Sequence, residues 1–162
     1  MDIEFDEKGN LKPYGIIDLS EKEFYRFFVE NYSTVSTRHK LYKSFQVYVE
    51  NLLPLVSNGC SIWIDGSFIS KKENPRDIDL VSIIDYSDYD LNKSVFETKF
   101  DPSNVRKEIG VDGYLIRKFP KNHPKYFITE LDSVYWRNLF GKTKVNRSKK
   151  QFPKGIIQLN FE

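Results

Sequence analysis

One strand-like stretch, residues 77–84, constrains the fold of this chain most strongly, because it combines carboxylates with a β-branched run: Asp-Ile-Asp-Leu-Val-Ser-Ile-Ile. The branched residues predict a buried strand. Side chains alternate along a strand, so Asp77 and Asp79 lie on one face, while Ile78 and Leu80 point into the core. Two neighbouring carboxylates repel each other unless a cation lies between them. The stretch therefore predicts a strand that begins at a cation-binding site.

The size of the chain favours a single domain over residues 1–162. Hydrophobic residues make up 40% and aromatic residues 15%, enough to build a core. Cys60 is the only cysteine, which excludes an intrachain disulfide and an all-cysteine zinc site. The acidic start has no signal-peptide pattern, and no apolar run approaches the ~18 residues of a membrane helix. We therefore expect a cytoplasmic protein with no membrane partner.

Periodicity and capping signals predict several helices and strands along the chain. Ser20 and Glu23 match a capping box, which predicts a helix to about residue 30. Further helices are expected over residues 37–56, 91–99 (capped by Asp90) and 129–140. Strands are expected over residues 61–65, 77–84, 111–118 and 155–161, and the opening stretch to residue 18 is expected to be irregular. The predicted fold is α/β (α+β), a small mixed sheet with helices mainly on one face.

A Gly-Ser turn, Gly66-Ser67, precedes the carboxylate strand and follows the predicted strand 61–65. Glycine lets the backbone approach a phosphate closely, and the serine hydroxyl and nearby amides can donate to phosphate oxygens. Three basic residues follow the turn and could neutralise a triphosphate: Lys71, Lys72 and Arg76. Mg²⁺ suits the carboxylates because it prefers oxygen ligands and keeps positions for phosphate oxygens and water.

Together these residues resemble the signature of the polymerase-β-like nucleotidyltransferases: an apolar residue, Gly-Ser, nine to thirteen residues, then Asp-apolar-Asp-apolar. Here the signature is Ile64-Asp65-Gly66-Ser67 and Asp77-Ile78-Asp79-Leu80, with Asp65 where an apolar residue is usual. The chain looks most similar to the minimal single-domain members, many of which occur in toxin–antitoxin and phage-defence systems. The resemblance implies that Mg²⁺ activates a nucleoside triphosphate and that an acceptor hydroxyl attacks its α-phosphate.

The resemblance also implies a third carboxylate on a later strand. Asp112 fits this place, because it precedes the apolar segment that ends at Ile116. Asp85 and Asp132 are the competing acids. Asp85 would lie roughly 20 Å from Asp79 at about 3.3 Å per residue, too far for one metal cluster. Asp77, Asp79 and Asp112 are therefore the expected catalytic metal ligands.

A basic stretch, residues 137–154, contains seven bases and no acid. Such a run is typical of a phosphate-binding surface and equally of a solvated loop. We expect its central bases to contact a tRNA-like RNA acceptor: Lys144, Arg147, Lys149 and Lys150. Two alternatives stay open: transfer of AMP or another nucleotide to a protein hydroxyl, as by a regulator or antitoxin, and a catalytically silent binding module. A cognate antitoxin or other protein partner is a further expectation from the resemblance.

Overall fold

The computed structural model describes residues 3–162. The strands are β1 (Glu4–Phe5), β2 (Leu11–Lys12), β3 (Ile16–Leu19), β4 (Cys60–Asp65), β5 (Asp79–Asp85), β6 (Asp112–Lys118) and β7 (Ile156–Phe161). The helices are α1 (Glu21–Tyr25), α2 (Thr37–Leu52), α3 (Tyr86–Leu91), α4 (Lys93–Thr98), α5 (Pro102–Glu108) and α6 (Tyr126–Phe140). A π-helical turn, Arg26–Glu30, extends α1, and 3₁₀ turns span Leu53–Leu55 and Ser67–Ile69.

Five strands form one mixed sheet in the order β3-β7-β4-β5-β6. The outer pairs, β3 with β7 and β5 with β6, are parallel, and β4 runs antiparallel to both of its neighbours. β1 and β2 form a separate antiparallel pair. The central β4 and β5 follow each other in the chain, so the Gly-Ser turn and the carboxylates share one edge of the sheet.

Alternation along β4 and β5 separates two apolar layers. Ile62, Ile64 and Leu80 face the larger core, which α1 and α2 cover with an aromatic cluster around Phe24 and Phe45. Trp63 and Val81 face the other side, where they pack with Ile116, Phe140 and Ile156 under α6. The predicted mixed sheet with helices mainly on one face is confirmed, with α6 as the helix on the second face.

Four details of the predicted elements are wrong. The carboxylate strand begins at Asp79 and not at Asp77, so Asp77 precedes β5. The opening stretch to residue 18 is not irregular, because β1, β2 and the start of β3 lie in it. Asp90 caps no helix: Asp85 ends β5, accepts a hydrogen bond from the backbone amide of Ser87 at 2.8 Å and begins α3. The sequence prediction also missed α5, which Asp101 caps.

The predicted basic stretch, residues 137–154, begins in the last turn of α6. The rest of it, residues 142–154, is a loop between α6 and β7 that backbone hydrogen bonds hold in place. Lys142 bridges Pro153, and the amide of Thr143 donates to the carbonyl of Phe152 at 2.8 Å. The Lys154 amide donates to the carbonyl of Gly141 at 2.9 Å. These bonds fold the segment back over the sheet edge that carries the carboxylates. Within residues 3–162, no helix is long and apolar enough to cross a membrane.

Candidate active site

Three aspartates form a row across the ends of three neighbouring strands, β4, β5 and β6. Asp79 pairs in register with Asp65 on β4 and with Asp112 on β6. All three have the strand parity of Trp63, Val81 and Tyr114, so they lie on the α6 side of the sheet. Directly opposed residues on adjacent strands have Cβ atoms roughly 5 Å apart, and like charges at that spacing are destabilising. The fold therefore places three carboxyl groups close together, at a cost in stability when all three are ionised.

The two outer members of the row are neutralised by cations. The Nζ of Lys154 lies 2.7 Å from Oδ1 and 2.8 Å from Oδ2 of Asp65, and this ion pair is largely buried. Asp112 accepts a charged hydrogen bond from the guanidinium of Arg106, which extends to the surface from α5. Asp79 is the member of the row without an ion-pair partner among the described residues, 3–162.

The pKa of the Asp79 carboxyl is raised by burial first and then by the charges of Asp77 and Asp112, while Lys144 and Lys154 act in the opposite direction. Burial likewise raises the pKa of Asp65 to about 6 despite its ammonium partner. Both shifts mean that folding opposes ionisation at this edge. A cation placed against Asp79 would relieve that cost, because it favours the charged form.

Gly66 is required by the position of Asp79. Its φ of +81° is in the left-handed region, and a Cβ built there would lie 2.0 Å from Oδ2 of Asp79. The carboxylate therefore lies directly against the glycine backbone. The predicted turn and the predicted carboxylate are in contact, which neither sequence spacing nor composition could establish.

A buried arginine, Arg38 of α2, holds the turn that follows Gly66. Its guanidinium donates to the backbone carbonyls of Ser70 at 2.8 Å and of Lys72 at 2.6 Å, and also to that of Phe68. The plane of the group lies over the ring of Tyr32, with Cζ 3.8 Å from the centroid. Arg38 is fully buried and has no carboxylate partner among residues 3–162. The carbonyl oxygens of the Ser67–Lys72 turn thus point inward, toward α2.

A polar cavity of about 400 Å³ opens beside the row. Gly66, Ser67, Asp77 and Asp79 line it. Its basic lining residues come from two segments, the loop before β5 and the 142–154 segment, and they are Lys72, Arg76, Lys144 and Lys154. Lys71, the remaining predicted phosphate ligand, does not line the cavity: its Nζ lies 5.7 Å from the ring centroid of Phe5.

A second, more aromatic cavity of about 460 Å³ adjoins the first and shares Gly66, Asp79, Thr143, Lys144 and Lys154 with it. Its other walls include Tyr114, Tyr135 and Trp136, and Tyr114 and Trp136 are in ring contact with centroids 4.7 Å apart. The two cavities meet at Asp79, so ligands in both would approach each other at this carboxylate.

The structure divides the predicted acceptor-binding bases into two groups. Lys144 lines both cavities. Arg147, Lys149 and Lys150 are exposed at the tip of the 142–154 segment, where the Asn146 side chain accepts from the amide of Lys150 at 2.9 Å. Sequence reasoning did not assign Lys154 to the site, because its partner Asp65 lies 89 positions earlier in the chain. Asp132, a rejected third acid, lines a different cavity with Arg117.

The carboxylates fit a divalent cation by their chemistry. Asp77 and Asp79 supply oxygen ligands beside an open polar cavity, and Asp79 has no ion-pair partner among residues 3–162. Residues 3–162 contain no preformed group of three His, Cys, Asp or Glu side chains with metal-binding geometry. Asp112 faces Arg106 instead, so this guanidinium would have to turn away before Asp112 could serve as a ligand.

Comparison with known proteins gives one match. A protein-family model, described as a family of unknown function (DUF6932), matches residues 3–160, almost the whole chain. Neither a curated protein nor a solved structure matches the sequence.

Proposed function

This chain belongs to the DUF6932 family, whose function is unknown, and we propose a function from the chemistry of its site. The proposed function is that of a Mg²⁺-dependent nucleotidyltransferase. One observation carries the proposal. Asp79, the centre of a row of three aspartates, has no ion-pair partner among residues 3–162, contacts Gly66 and lines a cavity that also has basic residues. A triphosphate with its cation fits a cavity that contains both carboxylates and basic side chains.

The triphosphate would occupy the polar cavity. Ser67 would donate to a phosphate oxygen, and Lys72 and Arg76, which also line the cavity, would neutralise the β- and γ-phosphates. Lys144 and Lys154 would hold the phosphate nearest to Asp79. Asp77 and Asp79 would hold the Mg²⁺, with Asp112 as a third ligand, and the ion would supply Lewis-acid stabilisation of negative phosphate oxygens.

The acceptor would enter through the second cavity, which reaches Asp79 from the α6 side. Its hydroxyl oxygen forms a bond to the α-phosphorus, the bond from that phosphorus to pyrophosphate breaks, and the hydroxyl proton passes to a carboxylate of the row. RNA is the favoured acceptor, because Arg147, Lys149 and Lys150 extend basic surface beyond the cavity. A protein hydroxyl is the alternative acceptor, and a toxin or defence role would follow from the family resemblance.

A second candidate function is a silent module that binds RNA or protein through the same edge. The ion pairs Asp65–Lys154 and Arg106–Asp112 favour it, because they already neutralise two of the three aspartates without metal. The two functions differ in one measurable property. The enzyme binds triphosphate more tightly with Mg²⁺, whereas the silent module binds it equally weakly with and without the ion.

The test is calorimetric titration of each nucleoside triphosphate with and without Mg²⁺, followed by transfer assays with total RNA and total protein. We expect Asp79→Ala to abolish transfer and Mg²⁺-dependent binding while the protein stays folded. Asp90→Ala is the matched control, since Asp90 is an exposed acid far from the site. Full transfer by Asp79→Ala, or triphosphate binding that Mg²⁺ does not change, would exclude this mechanism.

The acceptor assignment has its own test. Replacing Arg147, Lys149 and Lys150 with Gln should weaken RNA binding and flatten its salt dependence, with a slope change of roughly 0.7 to 0.9 per lost phosphate contact. Nucleotide binding should stay unchanged in this triple variant. Lys144→Gln should weaken both, because Lys144 lines both cavities. If RNA affinity depends on salt equally in the parent and the triple variant, the tip of the segment does not contact RNA and is a solvated loop.

A further inference from the structure

The outward face of α6 carries an unusual run of exposed apolar side chains. Each of its members keeps more than half of its surface in solvent: Phe127 (56%), Leu131 (64%), Val134 (56%), Tyr135 (60%) and Leu139 (51%). Steps of three and four residues place them along one side of the helix. Trp136 and Phe140 on the inner side pack on the sheet, so the exposed residues are not needed to attach α6.

We infer that this face is the interface of a two-fold symmetric dimer, in which α6 packs antiparallel against α6 of a second copy. The proposal does not depend on the nucleotidyltransferase function. Two observations select a second copy of this chain as the occupant: the amount of apolar surface and the pattern of charge beside it.

The apolar area is what a stable dimer needs. A side chain of this size exposes roughly 150 to 250 Å² when free, so five of them about 60% exposed present on the order of 500 Å². A patch of this size is as large as the largest apolar patches on monomers, about 300–600 Å², which are often functional. A standard interface buries about 800 Å² per partner, of which about 60% is apolar, again roughly 500 Å².

The charges beside the stripe are self-complementary. Glu130 and Arg137 are both exposed and leave α6 on the same flank of the stripe, seven residues apart. The Arg137 guanidinium lies 5.4 Å from the ring centroid of Trp63, so it would turn outward when the dimer forms. In an antiparallel pair, residues on the same flank of the two helices meet each other. A two-fold axis midway between these positions, next to Val134, places Glu130 of one copy level with Arg137 of the other. Two equivalent ion pairs then form, whereas in a parallel two-fold pair the same flanks lie on opposite sides of the seam and the two residues do not meet.

The dimer has a consequence for the neighbouring site. Tyr135 and Leu139 lie on the edge of the stripe and also line the second cavity. The second copy would therefore lie along the rim of that cavity.

The test measures the mass of the full chain by sedimentation equilibrium and light scattering over a concentration series. We expect about twice the 19.2 kDa of one chain. Leu131→Lys should raise the dissociation constant at least roughly tenfold, as for a central interface residue. Leu91→Lys is the matched control: Leu91 is 82% exposed on α3 and should leave the dimer intact. Thermal melting at low concentration checks that each variant stays folded.

The charge pattern supplies an independent arm. Glu130→Arg and Arg137→Glu should each weaken the dimer, and the two changes together should restore it, because the swapped pair meets across the axis. A parent that stays monomeric throughout the series overturns the proposal. So does an effect of Leu91→Lys equal to that of Leu131→Lys, or a double charge variant that remains as weak as the singles. Binding of the monomer to RNA or to acidic vesicles that Leu131→Lys abolishes would assign the face to that ligand instead.

Discussion

The contact between Gly66 and Asp79 allows a test of the site geometry that needs no knowledge of the substrate. In Gly66→Ala, the new Cβ would lie 2.0 Å from Oδ2 and 3.1 Å from Cγ of Asp79. Its φ of +81° adds left-handed strain of about 1–2 kcal/mol for a residue with a Cβ. Forcing the carboxylate aside adds roughly 1–3 kcal/mol, as for other overpacked sites. The free energy of unfolding should therefore fall by about 2–5 kcal/mol.

Removing the carboxylate should cancel the clash and leave only the strain. In an Asp79→Ala background the nearest atom to the new Cβ is the Asp79 Cβ itself, at an ordinary 3.6 Å. Gly66→Ala should then cost only about 1–2 kcal/mol, and the pair should show a coupling of about 1–3 kcal/mol. Asp79→Ala alone should leave stability unchanged or slightly raised, since it removes a buried charge that Asp77 and Asp112 repel.

Urea unfolding, followed by tryptophan fluorescence, measures the free energy of unfolding of the parent, Gly66→Ala, Asp79→Ala and the double variant. Trp63 is buried under α6, so it reports the loss of this layer. Gly110→Ala is the control for backbone strain, because Gly110 has a φ of +83° and an added Cβ would meet only the Ser44 hydroxyl, at 3.6 Å. Additive effects of Gly66→Ala and Asp79→Ala, within about 0.5 kcal/mol, would refute the predicted contact between the turn and the carboxylate.

Three further predictions concern the buried charges. Arg38→Met should lower the free energy of unfolding by about 3 kcal/mol or more, because it leaves several inward-facing carbonyls unpaired. It should also speed hydrogen exchange in the Ser67–Lys72 turn, and unchanged exchange there would contradict the role of Arg38. The pKa of Asp65 in the folded protein, about 6, is above its ordinary value, so its stabilising contribution is full below about pH 4 and is lost as the pH rises through 6. Urea unfolding across this pH range in the presence of a chelator should show the free energy of unfolding fall. Asp65→Asn should remove that part of the fall. Lys154→Met should extend the fall to higher pH, because the ammonium now lowers the pKa of Asp65, and an unchanged profile would show that the ion pair does not form in solution.

Local patterns in the sequence determined most of the elements. Alternation of apolar and carboxylate residues is a strand property that depends only on neighbours, which is why β5, with Asp79 and Leu80 on opposite faces, was predictable. Asp77 precedes β5 and lines the same cavity as Asp79. The capping box at Ser20 and Glu23 is equally local and forms as predicted. The short β3 was missed because a four-residue strand has too few positions to show a period, and its pairing with β7 joins residues 140 positions apart.

The third carboxylate shows where local reasoning stops. The resemblance indicated Asp112, but its place beside Asp79 is set by the parallel register of β5 and β6, which α5 connects. The ion pair of Asp112 with Arg106 had no signal in the sequence, because the arginine belongs to the helix that was not predicted.

The sequence likewise could not predict which basic residues lie near the carboxylates. The basic stretch was visible as composition, but only folding separates Lys144 and Lys154 at the carboxylates from Arg147, Lys149 and Lys150 at the tip. The reach of a lysine across the sheet depends on the path of the whole 142–154 segment. The sequence by itself determined which residue types stand at the ends of the strands, since residue types and strand alternation are local. The tertiary structure alone decided which charges neutralise each other, because those pairs join residues that are far apart in the chain.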